Sequence, residues 1–167
     1  MGTRRRRSAG RESELVQRLK EREGLADEND VQSWFIRRIE AAREGHDVVM
    51  TPYSHLYFDF YQTTDQRGEP LAIGGFLPLD TVYSYEPVPT ELTPTEARQI
   101  LGAQANVWTE YMASEEYVEY MVFPRMFALS EILWSPVEIR DYEGFVDRLD
   151  WHFERLEALG VNYRPLD

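Results

Sequence analysis

The chain contains no cysteine, which excludes both a disulfide framework and any thiolate-bound metal. It also lacks an uninterrupted apolar stretch of the about eighteen residues that a membrane-spanning helix needs, so no membrane partner is expected. Histidine is scarce. His46, His55 and His152 are the three present, and none of them shares the short spacing of a helix-borne or facial ligand set, so neither a metal nor a cofactor is expected. No G-x-S-x-G turn and no phosphate-cradling glycine loop occurs. Positive charge is short as well: the net charge is −12 and the isoelectric point about 4.7, which argues against a nucleic-acid partner.

What remains is enough for a real core. The chain has 167 residues, of which 43% are apolar and 13% aromatic, a composition that suits one domain rather than a solvated acidic tail. Residues 1–22 hold eight Lys/Arg against three Asp/Glu, so the acidity lies further along. The basic head, residues 1–10 with Arg4 to Arg7, is read as disordered; no apolar stretch follows it, so it does not read as a secretory signal, and the compartment stays open.

Residues 11–44 read as helical. Leu15 and Leu19 support a modest helix over 11–23, and Val31, Trp34, Phe35 and Ile39 mark a stronger one over 28–44, with Asp27 or Asn29 as cap and Gly45 as stop. The β-branched run Asp47 to Thr51 predicts a buried strand ended by Pro52. From Pro52 to about Leu92 no period is sustained, which predicts a long functional loop. Thr93-Pro94-Thr95-Glu96 is a capping box with proline at the first helical position, opening a short helix to about Leu101. Residues 101–108 read as a second strand of small residues. A helix over 115–134, liable to a kink at Pro124, and an amphipathic helix over 141–159 stopped by Gly160 complete the chain. Two buried strands joined by a crossover imply an α/β fold with parallel strands, and two strands are too few for an independent sheet.

Two segments carry chemistry. Tyr57-Phe58-Asp59 lies just past the first strand and Trp108-Thr109-Glu110 at the end of the second. In extended chain, residues two apart face the same way, so each segment offers a ring and a carboxylate to one side. Paired at the carboxyl ends of parallel strands, where α/β barrels build their sites, such elements suit a sugar: the rings stack on its C–H face and the acids accept from its hydroxyls. The plainer reading is that Tyr57 and Trp108 are core aromatics and both acids are solvated. His55 is a further candidate for the same site. His46 and His152 read as structural or solvated, Asp27-Glu28 as a helix cap, and Arg125 and Glu131 as a structural ion pair or capping contacts.

The run Ile100-Leu-Gly-Ala-Gln-Ala-Asn-Val-Trp-Thr-Glu-Tyr111, followed by Phe123-Pro-Arg-Met-Phe-Ala-Leu-Ser-Glu-Ile-Leu-Trp-Ser135, closely resembles the C-terminal part of glycoside hydrolase family 20, the β-N-acetylhexosaminidases. Gly45 to Met50 with Tyr57 to Gln62 resembles that family's seventh barrel strand and its loop. The resemblance runs from about residue 41 to 167. It implies an incomplete (β/α)8 TIM-barrel fragment that retains the last two strands and their helices. It also implies removal of terminal N-acetylglucosamine or N-acetylgalactosamine by substrate-assisted catalysis, in which the 2-acetamido oxygen attacks the anomeric carbon. By the same resemblance Tyr57 steadies the acetamido group in the catalytic step, Asp59 and Glu110 hold outlying hydroxyls, and Trp108 walls the pocket beneath the ring.

The departures are as informative. The family's acid–base Asp-Glu pair, after a His-x-Gly-Gly type motif on the fourth strand, has no counterpart here. Residues 12–40 resemble the helical stretch that follows that pair, and Glu40 then runs directly into Ala41, as though the fifth and sixth strands had been cut out. These features predict a chain that is a hydrolase by family yet inactive alone. They leave two further readings, a non-catalytic carbohydrate-binding pseudoenzyme and a helical interaction protein. An oligomer or a complementing chain stays open as a partner, beside an amino-sugar glycan. Family members are often exported.

Overall fold

The computed structural model describes residues 39–166. In chain order these form α1 (Ile39–Arg43), β1 (Val48–Met50), α2 (Tyr53–Leu56), α3 (Leu79–Tyr83), a 3₁₀ turn (Glu96–Gln99), β2 (Ile100–Ala103), α4 (Glu115–Val122), α5 (Arg125–Trp134), a second 3₁₀ turn (Val137–Ile139) and α6 (Tyr142–Leu159). The basic head, the helix expected over 11–23 and most of that over 28–44, with Trp34 and Phe35, lie outside the described residues.

β1 and β2 pair in parallel, with Val48 opposite Ile100, Val49 opposite Gly102 and Met50 opposite Ala103. The fold is therefore α/β, and the crossover between the strands is the long segment from Pro52 to Gln99. Val48 and Met50 are buried together with Leu56, Phe58, Leu77 and Val82 from the crossover, Ala128, Leu129 and Ile132 from α5, and Phe145 and Leu149 from α6. The spacing of the last five, three or four apart on each helix, is what turns one face of α5 and of α6 into this core. Among the described residues the sheet has two strands. Beside the sheet, Leu101 of β2 is 66% and Trp134 at the end of α5 87% exposed, lining a hollow of about 370 Å³ with Val49, Gly102, Ala103 and Leu133.

The structure corrects three expectations. The segment 52–92 is not a featureless loop; it holds α2, α3 and an isolated bridge between Tyr61 and Phe76. Its core residues come singly between turns, so no period betrays them. The second strand ends at Ala103 rather than 108. The helix over 115–134 is two helices, because Phe123 is extended (φ −96°, ψ 138°) before Pro124, as the ring of a following proline favours. The capping box does form. Glu96 accepts from the Thr93 amide at 2.7 Å and Thr93 Oγ1 from the Glu96 amide at 3.4 Å, but the turn it opens is 3₁₀.

α6 ends as expected. Gly160 adopts φ 71°, ψ 24°, its N–H donates to the Glu157 carbonyl, and the Val161 N–H reaches back to Leu156 at 2.9 Å. A side chain there would meet open space, so the cost of Gly160→Ala is purely that of the left-handed backbone. Urea unfolding should show a loss of about 1–2 kcal/mol.

Candidate functional site

Beyond Met50 the chain leaves the strand pair and returns to it. Pro52 starts the single turn of α2, whose Leu56 is fully buried and anchors the excursion. Pairing then resumes. The Asn106 N–H donates to the Leu56 carbonyl at 2.7 Å, the Phe58 N–H donates to the Asn106 carbonyl at 2.8 Å, and Tyr57 stands opposite Asn106. The six residues 51–56 on one side are thus matched by the two residues 104–105 on the other. That difference is what brings Tyr57 level with the approach to Trp108.

The two rings meet with centroids 6.5 Å apart and planes inclined at 54°. Tyr57 is half-buried and is backed by Tyr53 at 6.3 Å and Phe60 at 5.8 Å. Trp108 is 53% exposed, so the pair forms an aromatic wall open on one side. Core burial, the plainer reading of these rings, does not describe Trp108.

The carboxylates are placed differently from each other. Glu110 is exposed, in the turn after Trp108. Asp59 is 4% exposed, and its Oδ1 has no hydrogen-bond partner. Burial pushes the Asp59 carboxyl above its ordinary value, its own backbone amide and the Arg125 guanidinium pull it down, and the nearby charge of Glu110 pushes it up again. A buried acceptor without a partner costs about 1–3 kcal/mol. The extended-chain geometry expected for both segments is not what aligns them, since residues 58–59 and 109–110 lie in turns. The alignment comes from the Tyr57–Asn106 bridge.

The cation that acts on Asp59 is Arg125, at the N-terminus of α5 and 0% exposed. Its Nη1 donates to the carbonyls of Phe60 and Leu77, each at 3.1 Å, its Nε to Met121 at 3.1 Å, and its Nη2 to Phe58 and Met121. The guanidinium carbon sits 4.9 Å from the centroid of the Phe58 ring. Burial pushes Arg125 down to about 9, so it is a cation at neutral pH. Arg125 was expected to be structural, and its contacts are with carbonyls. Glu131, for its part, binds Arg148 at 2.8 Å and the Tyr83 hydroxyl at 2.7 Å. Sequence reasoning missed the link between Arg125 and Asp59. The one signal was an arginine directly after a proline at the head of an otherwise apolar helix.

His55 does not join the ring pair. Its ring lies tilted against Tyr85 at 5.2 Å and contacts Ser54 Oγ at 2.9 Å, lining a separate hollow of about 550 Å³ with Met50, Pro52 and Tyr53. His46 is exposed and lies 3.8 Å from Glu44, and His152 stacks on Phe127 at 4.3 Å. Among the described residues no three His, Asp or Glu gather as metal ligands, and no helix is long and apolar enough to cross a membrane.

Comparison with known proteins places these features in a family. The model for "Glycosyl hydrolase family 20, catalytic domain" matches residues 13–137. A beta-hexosaminidase of Porphyromonas gingivalis is 46% identical over 143 residues, covering 84% of this chain and 18% of its own length. A beta-N-acetylhexosaminidase of Cellulomonas fimi is 30% identical over 139 residues, covering 80% and 27%. This chain therefore spans about a fifth and just over a quarter of these two relatives' length. Among solved structures, the GH20 beta-N-acetylhexosaminidase from Streptomyces coelicolor A3(2) superposes with a TM-score of 0.66 at 28% identity, covering 77% of this chain and 26% of that one. The GH20 exo beta-N-acetylglucosaminidase from Vibrio harveyi, in complex with N-acetylglucosamine, gives 0.66 at 26% identity, covering 98% and 32%.

Proposed function

Because the chain belongs to glycosyl hydrolase family 20, we propose that it is the C-terminal part of a (β/α)8 barrel that holds a terminal N-acetylhexosamine without cleaving it. In this reading β1 and β2 are the seventh and eighth staves, residues 11–44 correspond to the helical stretch after the fourth, and residues 45–167 form the closing part of the barrel. The exposed Leu101 of β2 and Trp134 of α5 support it, since in a closed barrel with its outer helices such apolar surface is packed away.

The observation that carries the sugar reading is the open Tyr57–Trp108 wall beside a buried carboxylate oxygen that lacks a partner. A pyranose presents C–H groups on one face and hydroxyl donors at its edge. Stacking on Trp108 buries the first, and Asp59 and Glu110 accept from the second. An ionised carboxylate is an acceptor with no donor of its own, so it selects hydroxyls and rejects groups that only accept. Tyr57, at the inner edge of the wall, is the donor for the acetamido oxygen. During substrate-assisted cleavage that oxygen becomes partly charged and bonds to the anomeric carbon, and a fixed phenol hydroxyl aimed at it strengthens as the charge develops. Binding, orientation and this electrostatic contact are what these residues supply. The leaving oxygen still needs a proton, and no Asp-Glu pair after a His-x-Gly-Gly motif occurs in the 167 residues.

The test is a titration with N-acetylglucosamine, followed at the indole N–H of Trp108 by heteronuclear NMR in the native chain and by calorimetry in the native chain and the variant. The native chain should show a saturable shift there, and Trp108→Ala should bind at least about tenfold more weakly, the loss of about 1.4 kcal/mol typical of an aromatic anchor. Its melting temperature should hardly change, because half the side chain is already in water. No saturable response at Trp108 would reject the sugar reading in favour of an interaction protein acting through its helices.

A further inference from the structure

Asp59 and Arg125 belong to a longer row of buried charges. Glu69, in the crossover, accepts from Arg164 Nε at 3.1 Å and from the Tyr120 hydroxyl at 3.1 Å. The side chains of Arg164 and Glu69 are only 11% and 9% exposed. Arg125 lies within electrostatic reach of both, and of Asp59. The signs alternate, negative at Asp59, positive at Arg125, negative at Glu69 and positive at Arg164, and the row runs from the aromatic wall to the segment after α6. Gln62 ties the same crossover to α4 through the Tyr120 carbonyl at 2.9 Å.

Burying a guanidinium costs several kcal/mol, and a whole buried set of opposite charges replaced together by apolar side chains often leaves stability unchanged or improved, so such a set is weak evidence of a stabilising role. Core stability is therefore a weak explanation for its position. The geometry suggests a better one. The two carbonyls of Phe58 and Phe60 that Arg125 binds are those on either side of Asp59. Fixing both carbonyls anchors the short segment Asp59–Phe60 at its two ends, and the positive charge of Arg125 acts on the Asp59 carboxylate.

We infer that Arg125 is a positioning residue for the sugar-binding acid: its clamp on the Phe58 and Phe60 carbonyls, backed by the Glu69–Arg164 pair, holds the segment that carries Asp59 and sets the field at its carboxylate. The functional half of this rests on the sugar reading above; the electrostatic half does not. The charged groups facing Asp59 are Arg125 from α5 and Glu110 from the turn after β2, with Glu69 and Arg164 behind Arg125. Without the Arg125 charge, desolvation and the Glu110 repulsion are opposed only by the backbone amide, so the carboxyl takes up its proton at higher pH. Without the Glu69 charge, the Arg125 field at Asp59 is less compensated, and the carboxyl takes up its proton at lower pH.

The experiment is a carboxyl carbon NMR titration of Asp59 in the full chain, with no sugar present. Arg125→Met should raise the midpoint by about one pH unit or more, the effect of deleting a nearby cation. Arg125→Lys should restore most of it while melting earlier, because the charge returns without the fork. Glu69→Gln, which keeps an acceptor for Arg164, should move the midpoint down. If Arg125→Met does not fold, the Lys and Gln variants decide. A purely structural Arg125 predicts the same Asp59 midpoint in every folded variant, and that result, or an upward move in Glu69→Gln, overturns the inference. Sugar affinity then separates the two proposals. Asp59 responding as described in a chain that ignores N-acetylglucosamine rejects the sugar reading alone. A chain that binds the sugar with an unmoved Asp59 rejects the positioning role alone.

Discussion

The purified 167-residue chain should release no chromophore from an aryl N-acetylglucosaminide above the rate of buffer. Substrate-assisted cleavage divides the work. The substrate's acetamido oxygen attacks, and the protein must orient it, balance its charge and protonate the departing oxygen. Tyr57, Asp59, Trp108 and Glu110 are suited to the first two tasks. The third needs a carboxylic acid held protonated against the leaving group, which contributes about a hundred- to ten-thousand-fold. Among the described residues Asp59 is the buried acid whose carboxyl is pushed up, but in the proposed site it meets the sugar's edge and not its leaving group. Glu110 is exposed in a turn. Because no Asp-Glu pair follows a His-x-Gly-Gly motif in these residues, the expected loss is at least the contribution of that acid. Turnover by the native chain that Glu110→Gln abolishes would contradict this and would make Glu110 the proton donor.

The largest stability effect should come from Phe58→Ala. Phe58 is fully buried, its ring lies against the Arg125 guanidinium, and its backbone carries both a carbonyl bond to that group and the amide bond to Asn106. Truncating a buried phenylalanine costs about 3–5 kcal/mol, a large share of the 5–15 kcal/mol typical of a domain. Denaturant unfolding should show that loss, together with a weaker sugar response, because the cavity opens under Asp59. Trp134→Ala is the contrast: its side chain is 87% exposed, so it should move the midpoint by less than about 0.5 kcal/mol. Equal effects from the two substitutions would show that the region around Phe58 is not a packed core.

Local signals in the sequence carried much of this. The β-branched run at Val48 and Val49 reads as a buried strand because such side chains pack on a pleated sheet. The stripe Phe145, Leu149, Phe153, Leu156 reads as a helix, with Gly160 as its stop, because only glycine enters the left-handed region cheaply. Thr93 and Glu96 announce their reciprocal cap. Each signal sits within a few residues, where backbone sterics and a single hydrogen-bond pattern decide the outcome. The crossover is the opposite case. Leu56, Phe58, Leu77 and Val82 are buried by contacts with α5 and α6 that lie many residues away, and nothing in their own spacing says so.

The ring-and-acid pairs show where the two kinds of information meet. Their residue types, and their position after parallel strands, were written in the chain itself, since a tyrosine or tryptophan two places from a carboxylate is a local fact. That Trp108 stands open while Asp59 is sealed, that Tyr57 reaches Trp108 through the Asn106 bridge, and that an arginine 66 positions after Asp59 governs the acid were decided only by the fold. Exposure, the field at a carboxylate and the partners of a buried cation depend on every segment that closes around them, and no window of sequence contains those segments together.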